Sequence, residues 1–321
     1  NRLFWVTFCL LPAALFGQAS KLETLLFELP DVVFKKIETP KGFESAYELM
    51  VKQALDHQHP DKGYFYQKVY LAHRSFDAPT VMITEGYDRP AHRIYELSDL
   101  LAGNQLQVEH RYFGKSMPDS LDYQYLTLEQ ATGDLHAINQ LFRKLYVRDW
   151  VSTGISKGGQ TTIFYRYFYP NDVDVSVPYV APLNTSLEDN RIYQFLDTVG
   201  TQECRQKIFD VQKRLLQNRG EFLQKLKWFA KGADKHFTYL SLEQAFEYAV
   251  LEYSFSFWQW GSDCSKIPGE KVDGDSLFSY FLQVSDPGFF SDEDIQKYAS
   301  HYYQAGTHIG YCGYDVSDFK K

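Results

Sequence analysis

Before residue 182 the spacing of hydrophobic residues changes several times between a pattern typical of strands and a pattern typical of helices. Aromatic and β-branched runs, or apolar residues at every second position, predict strands. Apolar residues at every third or fourth position predict helices. The predicted strands cover 63–72, 80–84, 105–112, 149–153 and 173–180, and the predicted helices cover 43–57, 94–101, 126–146 and 160–169. This alternation indicates an α/β fold whose central sheet is largely parallel.

After residue 184 the pattern becomes mostly helical. Residues 188–252 carry apolar side chains at helical spacing, and residues 253–315 are rich in aromatic residues and interrupted by glycine and proline. We interpret 186–315 as a large, mainly helical cap inserted over the sheet. The core of the fold is then predicted at 20–185, and 316–321 is interpreted as the start of the return to that core.

Residues 1–19 have the three parts of a secretory leader. Arg2 precedes an apolar run at 3–16, and Gly17 and Ala19 supply small residues at the positions that a signal peptidase reads. The run is shorter than the about 20 apolar residues of a membrane-spanning helix. We therefore predict a signal peptide at 1–19, and a secreted or periplasmic protein that no membrane holds once the leader is removed. A buried N-terminal helix is the alternative.

The hydrophobic content and the net charge of the chain exclude some classes of protein. The 321 residues carry a formal net charge of −8, and 44% of them are hydrophobic. Such a chain can bury a sizeable core and is not disordered. An acidic chain also argues against nucleic-acid binding, which is typical of basic surfaces.

Three cysteines remain beyond the predicted leader. Cys204 and Cys264 both lie in the predicted helical region, so we predict a disulfide between them and a free thiol at Cys312. An exported protein can keep such a disulfide. Three free buried thiols are the alternative. No spacing of cysteine and histidine resembles a zinc site, so we expect neither a metal nor a cofactor.

A G-x-S-x-G sequence at 154–158 lies between a predicted strand and a predicted helix. That setting is the nucleophile elbow of α/β-hydrolases, in which the glycines avoid collisions and the serine stands above the carboxyl end of the sheet. We therefore expect Ser156 to be a nucleophile. The backbone N–H of Lys157 is then one oxyanion donor, aimed where charge develops in acyl transfer. A serine that only caps the helix is the alternative.

A second oxyanion donor of this fold comes from the loop after the third strand of the sheet. Residues 84–87, Thr-Glu-Gly-Tyr, occupy that place. Gly86 lets the backbone approach a substrate carbonyl closely, so the backbone N–H of Gly86 or of Tyr87 is the candidate. The alternative is a tight turn in which the glycine serves the turn alone.

Three segments carry a family resemblance. Residues 109–116, Glu-His-Arg-Tyr-Phe-Gly-Lys-Ser, and 125–131, Tyr-Leu-Thr-Leu-Glu-Gln-Ala, resemble signatures of the lysosomal Pro-Xaa carboxypeptidase and dipeptidyl peptidase II family. The elbow, Thr-Gly-Ile-Ser-Lys-Gly-Gly at 153–159, departs from the Gly-Gly-Ser-Tyr-Gly-Gly of that family. It resembles instead the related bacterial family of secreted prolyl tri/tetrapeptidyl aminopeptidases. The resemblance implies an α/β-hydrolase fold, secretion, a Ser-Asp-His triad, and peptide substrates cleaved after proline near a free N-terminus.

The acid and histidine of such a triad follow the serine in chain order, on loops after later strands. The later histidines are His236, His301 and His308, and 186–321 contain no two clear hydrophobic strands to carry an acid and then a base. We therefore expect both residues to be absent from this chain, which would be a fragment truncated at both ends and inactive alone. His308 acting as the base of a rearranged site is the alternative.

The predicted cap contains an aromatic segment with one acid, Glu-Tyr-Ser-Phe-Ser-Phe-Trp-Gln-Trp-Gly at 252–261. Flat aromatic faces suit a proline ring, and a carboxylate suits the α-ammonium of an exopeptidase substrate. Glu85, Glu252, Trp258 and Trp260 are therefore candidate substrate-binding residues. The alternative is that most of these aromatic residues form the core of the cap.

Three functions remain open at this point. The first is a secreted serine exopeptidase that acts after proline through an acyl-enzyme on Ser156. The second is an esterase or lipase, since the same elbow serves acyl esters and a fold does not determine its substrate. The third is a catalytically inactive, exported hydrolase fold that binds a ligand, which would explain the missing triad members.

Overall fold

The computed structural model describes residues 20–186, 189–311 and 313–319, except for the side chain of Asp318. The predicted leader and Cys312 lie outside these residues. The described chain divides into two compact units: a sheet unit of 20–119 and 131–179, and a helical unit of 120–130 and 180–319. The predicted core at 20–185 differs from the sheet unit, because 120–130 and 180–185 group with the helical residues.

The sheet unit is built on one mixed sheet of seven strands. In chain order these are β1 (Val32–Lys36), β2 (Ser45–Ala54), β3 (Tyr64–His73), β4 (Thr80–Thr84), β5 (Asn104–Val108), β6 (Trp150–Ile155) and β7 (Val175–Tyr179). They lie side by side in the order β1-β2-β3-β5-β4-β6-β7. The α/β class predicted from the alternating pattern is confirmed.

The prediction of a largely parallel sheet is wrong. β1, β2, β3 and β5 pair antiparallel with one another in that order. Only the pairs β5–β4, β4–β6 and β6–β7 are parallel. The difference arises because the N-terminal strands form an antiparallel meander, and a periodicity that identifies a strand carries no information about its direction.

The helix predicted at 43–57 is also wrong, because this segment contains β2. Tyr47, Val51 and Ala54 have the spacing of three and four that predicted a helix. In the structure Tyr47, Leu49 and Val51 are buried, which is the period of two of a strand. β2 pairs with β3 along its whole length and with β1 on its other edge. Ladder hydrogen bonds on both sides thus override a locally ambiguous pattern.

Helices complete the sheet unit. They are α1 (Lys21–Glu28), α2 (Glu96–Leu100), α3 (Leu128–Phe142), which belongs to this unit from residue 131 onward, and α4 (Lys157–Phe168). Leu135, Ile138 and Phe142 of α3 share one buried hydrophobic cluster with Met82 and Leu106 of the sheet. Their spacing of three and four is the apolar stripe that the sequence indicated. α4 follows β6 directly, and this junction contains Ser156.

The helical unit contains α5 (Asn190–Thr198), α6 (Gln202–Gln217), α7 (Arg219–Gly232), α8 (Leu242–Gln259), α9 (Gly274–Val284), α10 (Asp292–Lys297) and α11 (Ala299–Gln304). Its core is formed by buried side chains that include Leu215, Leu226, Phe246, Tyr253 and Phe281. A disulfide joins Cys204 to Cys264, with a Cα–Cα distance of 5.5 Å. No helix among the described residues is both long and apolar enough to cross a membrane.

Candidate active site

Ser156 occupies a strained turn between β6 and α4. Its backbone has φ 56° and ψ −122°, a positive φ that non-glycine residues rarely adopt. Its N–H donates to the carbonyl oxygen of Tyr179 at 3.0 Å, which ties the turn to the neighbouring strand β7. The side chain is exposed, and Ser156 Oγ does not cap the helix that follows. This strained, exposed serine at a strand-to-helix junction has the geometry of a nucleophile elbow.

The glycines of the elbow allow main-chain segments to approach one another closely. A Cβ atom at Gly154 would overlap the carbonyl group of Gly158, and a Cβ atom at Gly158 would overlap the carbonyl oxygen of Thr84. These are backbone atoms, so no side-chain rotation would relieve the overlap. The steric role expected for the two glycines therefore has a direct structural counterpart.

Thr84, the last residue of β4, holds the elbow against the sheet. Its Oγ1 lies 2.8 Å from the carbonyl oxygen of Gly158, 3.2 Å from that of Thr153 and 2.5 Å from the hydroxyl of Thr162. The side chain is fully buried. One hydroxyl thus joins β4, β6 and α4 at the point where the candidate nucleophile and the candidate oxyanion loop meet.

The structure brings the two predicted oxyanion elements together. A Cβ atom at Gly86 would lie 2.6 Å from Lys157 Cβ and 2.8 Å from the backbone nitrogen of Gly158, so only glycine fits this approach. Lys157 is the first residue of α4. Its backbone N–H is among the first N–H groups of a helix, which have no partner within the helix and suit a developing negative charge. The arrangement can place donors from two segments around one oxyanion.

Glu85 is engaged within the sheet unit. Its Oε1 accepts from the Tyr95 hydroxyl at 2.7 Å and from Gln107 Nε2 at 2.8 Å, and its two oxygens receive a bidentate pair of hydrogen bonds from Arg89. Three side chains of the sheet unit thus already bind this buried carboxylate, and its role in binding a substrate ammonium stays a prediction. The network fixes the start of the loop that carries Gly86.

The side chain of Lys157 is a feature that sequence reasoning missed. It is 4% exposed, and its Nζ donates to the carbonyl oxygen of Gly86 at 2.6 Å. Burial lowers the pKa of the Lys157 ammonium to about 7. The signal in the sequence is a lysine inside the glycine-rich turn 154–159, a position where a charged side chain is unusual.

The segment 109–116 acts as a structural hub. Glu109 is fully buried, and its Oε1 accepts from the Ser116 hydroxyl at 2.9 Å and from the backbone N–H of Lys115 and Ser116 at 2.8 and 3.0 Å. Its Oε2 accepts from the backbone N–H of Arg89 at 2.6 Å and pairs with Lys68 Nζ at 2.9 Å. Through the bond from the Arg89 N–H, the segment 109–116 therefore holds the loop after β4 in place.

The candidate cap residues lie on α8 and at its end. Glu252 accepts from the Tyr314 hydroxyl at 2.8 Å and from Ser256 Oγ at 3.3 Å, and burial raises the pKa of its carboxyl above the ordinary value. Trp258 packs against the core of the helical unit and on Gly200. Trp260 is 76% exposed. The alternative that these aromatic residues form the core of the cap thus fits Trp258 better than Trp260.

Three histidines of the sheet unit form hydrogen bonds with groups other than the hydroxyl of Ser156. His57 Nε2 lies 2.8 Å from Asp134 Oδ1, His73 Nδ1 lies 3.0 Å from the Tyr146 hydroxyl, and His136 Nδ1 lies 2.7 Å from Asp172 Oδ2. Within the described part of the sheet unit, none of the hydrogen bonds joins Ser156 Oγ to a histidine. The described residues after β7 form helices and loops but no strand.

Comparison with known sequences identifies a protein family that matches this chain. A family described as PS-10 peptidase S37 matches residues 18–321. The chain is 33% identical over 306 residues to a "Prolyl tri/tetrapeptidyl aminopeptidase" of Streptomyces mobaraensis, which covers 93% of this chain and 63% of that protein. A "Probable serine protease EDA2" of Arabidopsis thaliana is 26% identical over 274 residues, covering 77% of this chain and 55% of that protein. The chain therefore spans less than two thirds of the length of either relative.

Among solved structures, acetyl xylan esterase 1 from Thermoanaerobacterium matches with a TM-score of 0.36 and 15% identity. The match covers 58% of this chain and 63% of the esterase.

Proposed function

The chain belongs to the peptidase S37 family, and on that premise we propose that Ser156 is the nucleophile of a serine peptidase. The observation that carries this proposal is the strained elbow, in which an exposed serine stands between β6 and α4 with the two candidate oxyanion segments close to each other. The strain at Ser156 is of a kind that clusters at active sites.

The proposed reaction is acyl transfer. Ser156 Oγ attacks the carbonyl carbon of the scissile peptide bond while a histidine takes the hydroxyl proton. The carbonyl oxygen becomes an oxyanion and is stabilised by the backbone N–H of Lys157 together with that of Gly86 or Tyr87. The C–N bond then breaks, the histidine returns the proton to the leaving amine, and water hydrolyses the acyl-enzyme. We propose that the histidine and its acid lie outside this chain.

The proposed substrate class is a peptide with a free N-terminus and a proline before the cleaved bond. The name of the Streptomyces relative supports this class. Glu252 supports it independently, since its carboxylate is largely buried and its hydrogen-bond partners are the hydroxyls of Ser256 and Tyr314. Among the described residues no lysine, arginine or histidine pairs with it, so a substrate ammonium would supply the missing positive charge. Trp260, exposed beside this helix, is the proposed contact for the proline ring.

We also propose that the protein is exported, which the leader-like residues 1–19 support. Fusion of those residues to a periplasmic reporter tests this point. Export of the reporter is expected, and retention in the cytoplasm would contradict it.

The central test uses the full-length protein and its Ser156→Ala variant. A fluorophosphonate probe is expected to label the wild-type protein at Ser156 and to leave the variant unlabelled. The wild-type protein is expected to hydrolyse chromogenic Xaa-Xaa-Pro amides with a free N-terminus, and the variant is not. Hydrolysis of simple acyl esters without hydrolysis of these amides would favour an esterase, and an unlabelled wild-type protein would favour an inactive binding protein.

A further inference from the structure

The side chain of Lys157 crosses from the elbow to the loop after β4. Its aliphatic stem lies directly on Gly86, since a Cβ atom there would be 2.6 and 2.7 Å from Lys157 Cβ and Cγ. Its Nζ then reaches the carbonyl oxygen of the same residue at 2.6 Å. The stem and the amine of this side chain therefore both contact Gly86 of the proposed oxyanion loop.

The buried amine has no carboxylate partner among the described residues. The nearby carboxylates are committed elsewhere, Glu85 to Arg89 at 2.8 Å and Glu109 to Lys68 at 2.9 Å. Two aromatic rings cover Nζ instead, with centroids at 4.8 Å for Phe113 and 5.1 Å for Tyr87.

His110 packs edge-on against Phe113 and is paired through Nδ1 with the carbonyl oxygen of Arg111. A buried cation without an anion is costly to the fold, whereas an apolar side chain of similar length would fill the same space without that cost. The position therefore calls for a role other than stability.

We propose that Lys157 is a positioning residue that sets the orientation of the oxyanion loop relative to the elbow. The peptide group is planar, so holding the carbonyl of Gly86 also fixes the direction of the N–H that follows it, that of Tyr87. Glycine is the residue whose dihedral angles are least restricted by its own structure, and the hydrogen bond from Lys157 removes that freedom at Gly86. The same residue that supplies one proposed donor through its backbone thus orients the other through its side chain.

The expected effect of Lys157 on catalysis rests on the proposed function of Ser156, whereas its expected effect on the orientation of the loop does not. The kinetic test compares Lys157→Met with Tyr165→Phe in the full-length protein. Both variants delete one buried hydrogen-bond donor of α4, but the Tyr165 hydroxyl contacts Asp172, away from the elbow. Lys157→Met is expected to lower kcat on the chromogenic peptide by about tenfold or more, with KM nearly unchanged, because a misplaced donor weakens only transition-state binding. Tyr165→Phe is expected to keep the wild-type kcat.

A structural test is independent of activity. Amide hydrogen exchange at residues 85–88 is expected to be faster in Lys157→Met than in the wild type and in Tyr165→Phe. Equal exchange in folded Lys157→Met would overturn the proposal, as would a wild-type kcat. If Lys157→Met does not fold, Lys157→Gln takes its place under the same criteria. A wild-type protein that the fluorophosphonate does not label refutes the role of Ser156 alone, and the exchange experiment still decides the role of Lys157.

Discussion

Thr84 Oγ1 lies 2.8 Å from the carbonyl oxygen of Gly158, which joins the end of β4 to the second glycine of the elbow. The Thr84 side chain is fully buried, and its Oγ1 also forms a hydrogen bond with the hydroxyl of Thr162. The candidate nucleophile and the candidate oxyanion loop are therefore parts of one hydrogen-bonded assembly and not two neighbouring turns.

The Thr84→Val substitution removes that connection with little change of shape. It removes the buried hydroxyl that donates to the carbonyl oxygen of Gly158, so we expect a loss of about 1–3 kcal/mol in the free energy of unfolding. Urea denaturation measures the loss. Thr24→Val is the control, because that hydroxyl makes one exposed bond in α1. Equal stability of the two variants would contradict the buried role of Thr84.

Gly86→Ala tests the close approach of loop and elbow. The new methyl group would lie 2.6 Å from Lys157 Cβ, so the loop must move. A displacement of about 1 Å in a catalytic group costs about a hundredfold in rate. We expect the rate of fluorophosphonate labelling to fall by at least about tenfold. Gly220→Ala in α7, where a methyl group meets nothing within 4 Å, should label at the wild-type rate. Unchanged labelling of Gly86→Ala would count against the proposed loop.

Lys157 should give stability a distinctive pH dependence. Its pKa in the folded protein is about 7, whereas an unperturbed lysine has a pKa of about 10.4. Between these values the unfolded state binds more protons, so this residue makes the free energy of unfolding rise with pH, by up to about 1.4 kcal/mol per unit. Below pH 7 both states are protonated and the full cost of burying the charge remains.

Lys157→Met is expected to lose this slope between about pH 7 and 10. Urea denaturation at several pH values measures the slope. Lys35→Met, which removes a side chain that is 63% exposed, should retain the wild-type slope. A slope that survives in Lys157→Met would show that the amine titrates normally in the folded protein.

Glu252→Gln tests the proposed ammonium site. The substitution keeps the shape and removes the charge, so KM for peptides with a free N-terminus should rise by about tenfold, as expected for the loss of a charge-assisted hydrogen bond. KM for N-terminally blocked peptides should change much less. Glu243→Gln, at an exposed position in the first turn of the same helix, is the matched control. Equal effects on free and blocked peptides would rule out this role.

Glu109→Gln tests the hub formed by the signature segment. It leaves Lys68, which is 3% exposed, without its carboxylate partner. Removing one member of a buried pair typically costs about 3–5 kcal/mol. Glu203→Gln, which breaks an exposed pair with Lys207 in α6, should cost less than about 1 kcal/mol. Chemical denaturation distinguishes the two, and comparable small losses would mean that the hub contributes little to stability.

The elbow could be predicted from sequence because its cause is local. A serine between glycines, with a strand before and a helix after, specifies a turn that few other residues would allow. Most strands could be predicted for a related reason, since runs such as 63–72 are rich in aromatic residues, which favour strands.

The tertiary structure decided what depends on distant partners. The segment at 45–54 suits two periods, and only pairing with β1 and β3 makes it a strand. The carboxylate of Glu85 is engaged by Arg89, Tyr95 and Gln107, whose convergence no spacing reveals. The pKa of Lys157 falls because the fold removes water from its amine. Sequence by itself thus determined where the strained turn lies, because sterics act between neighbours, whereas solvation and charge pairing act through space and required the folded chain.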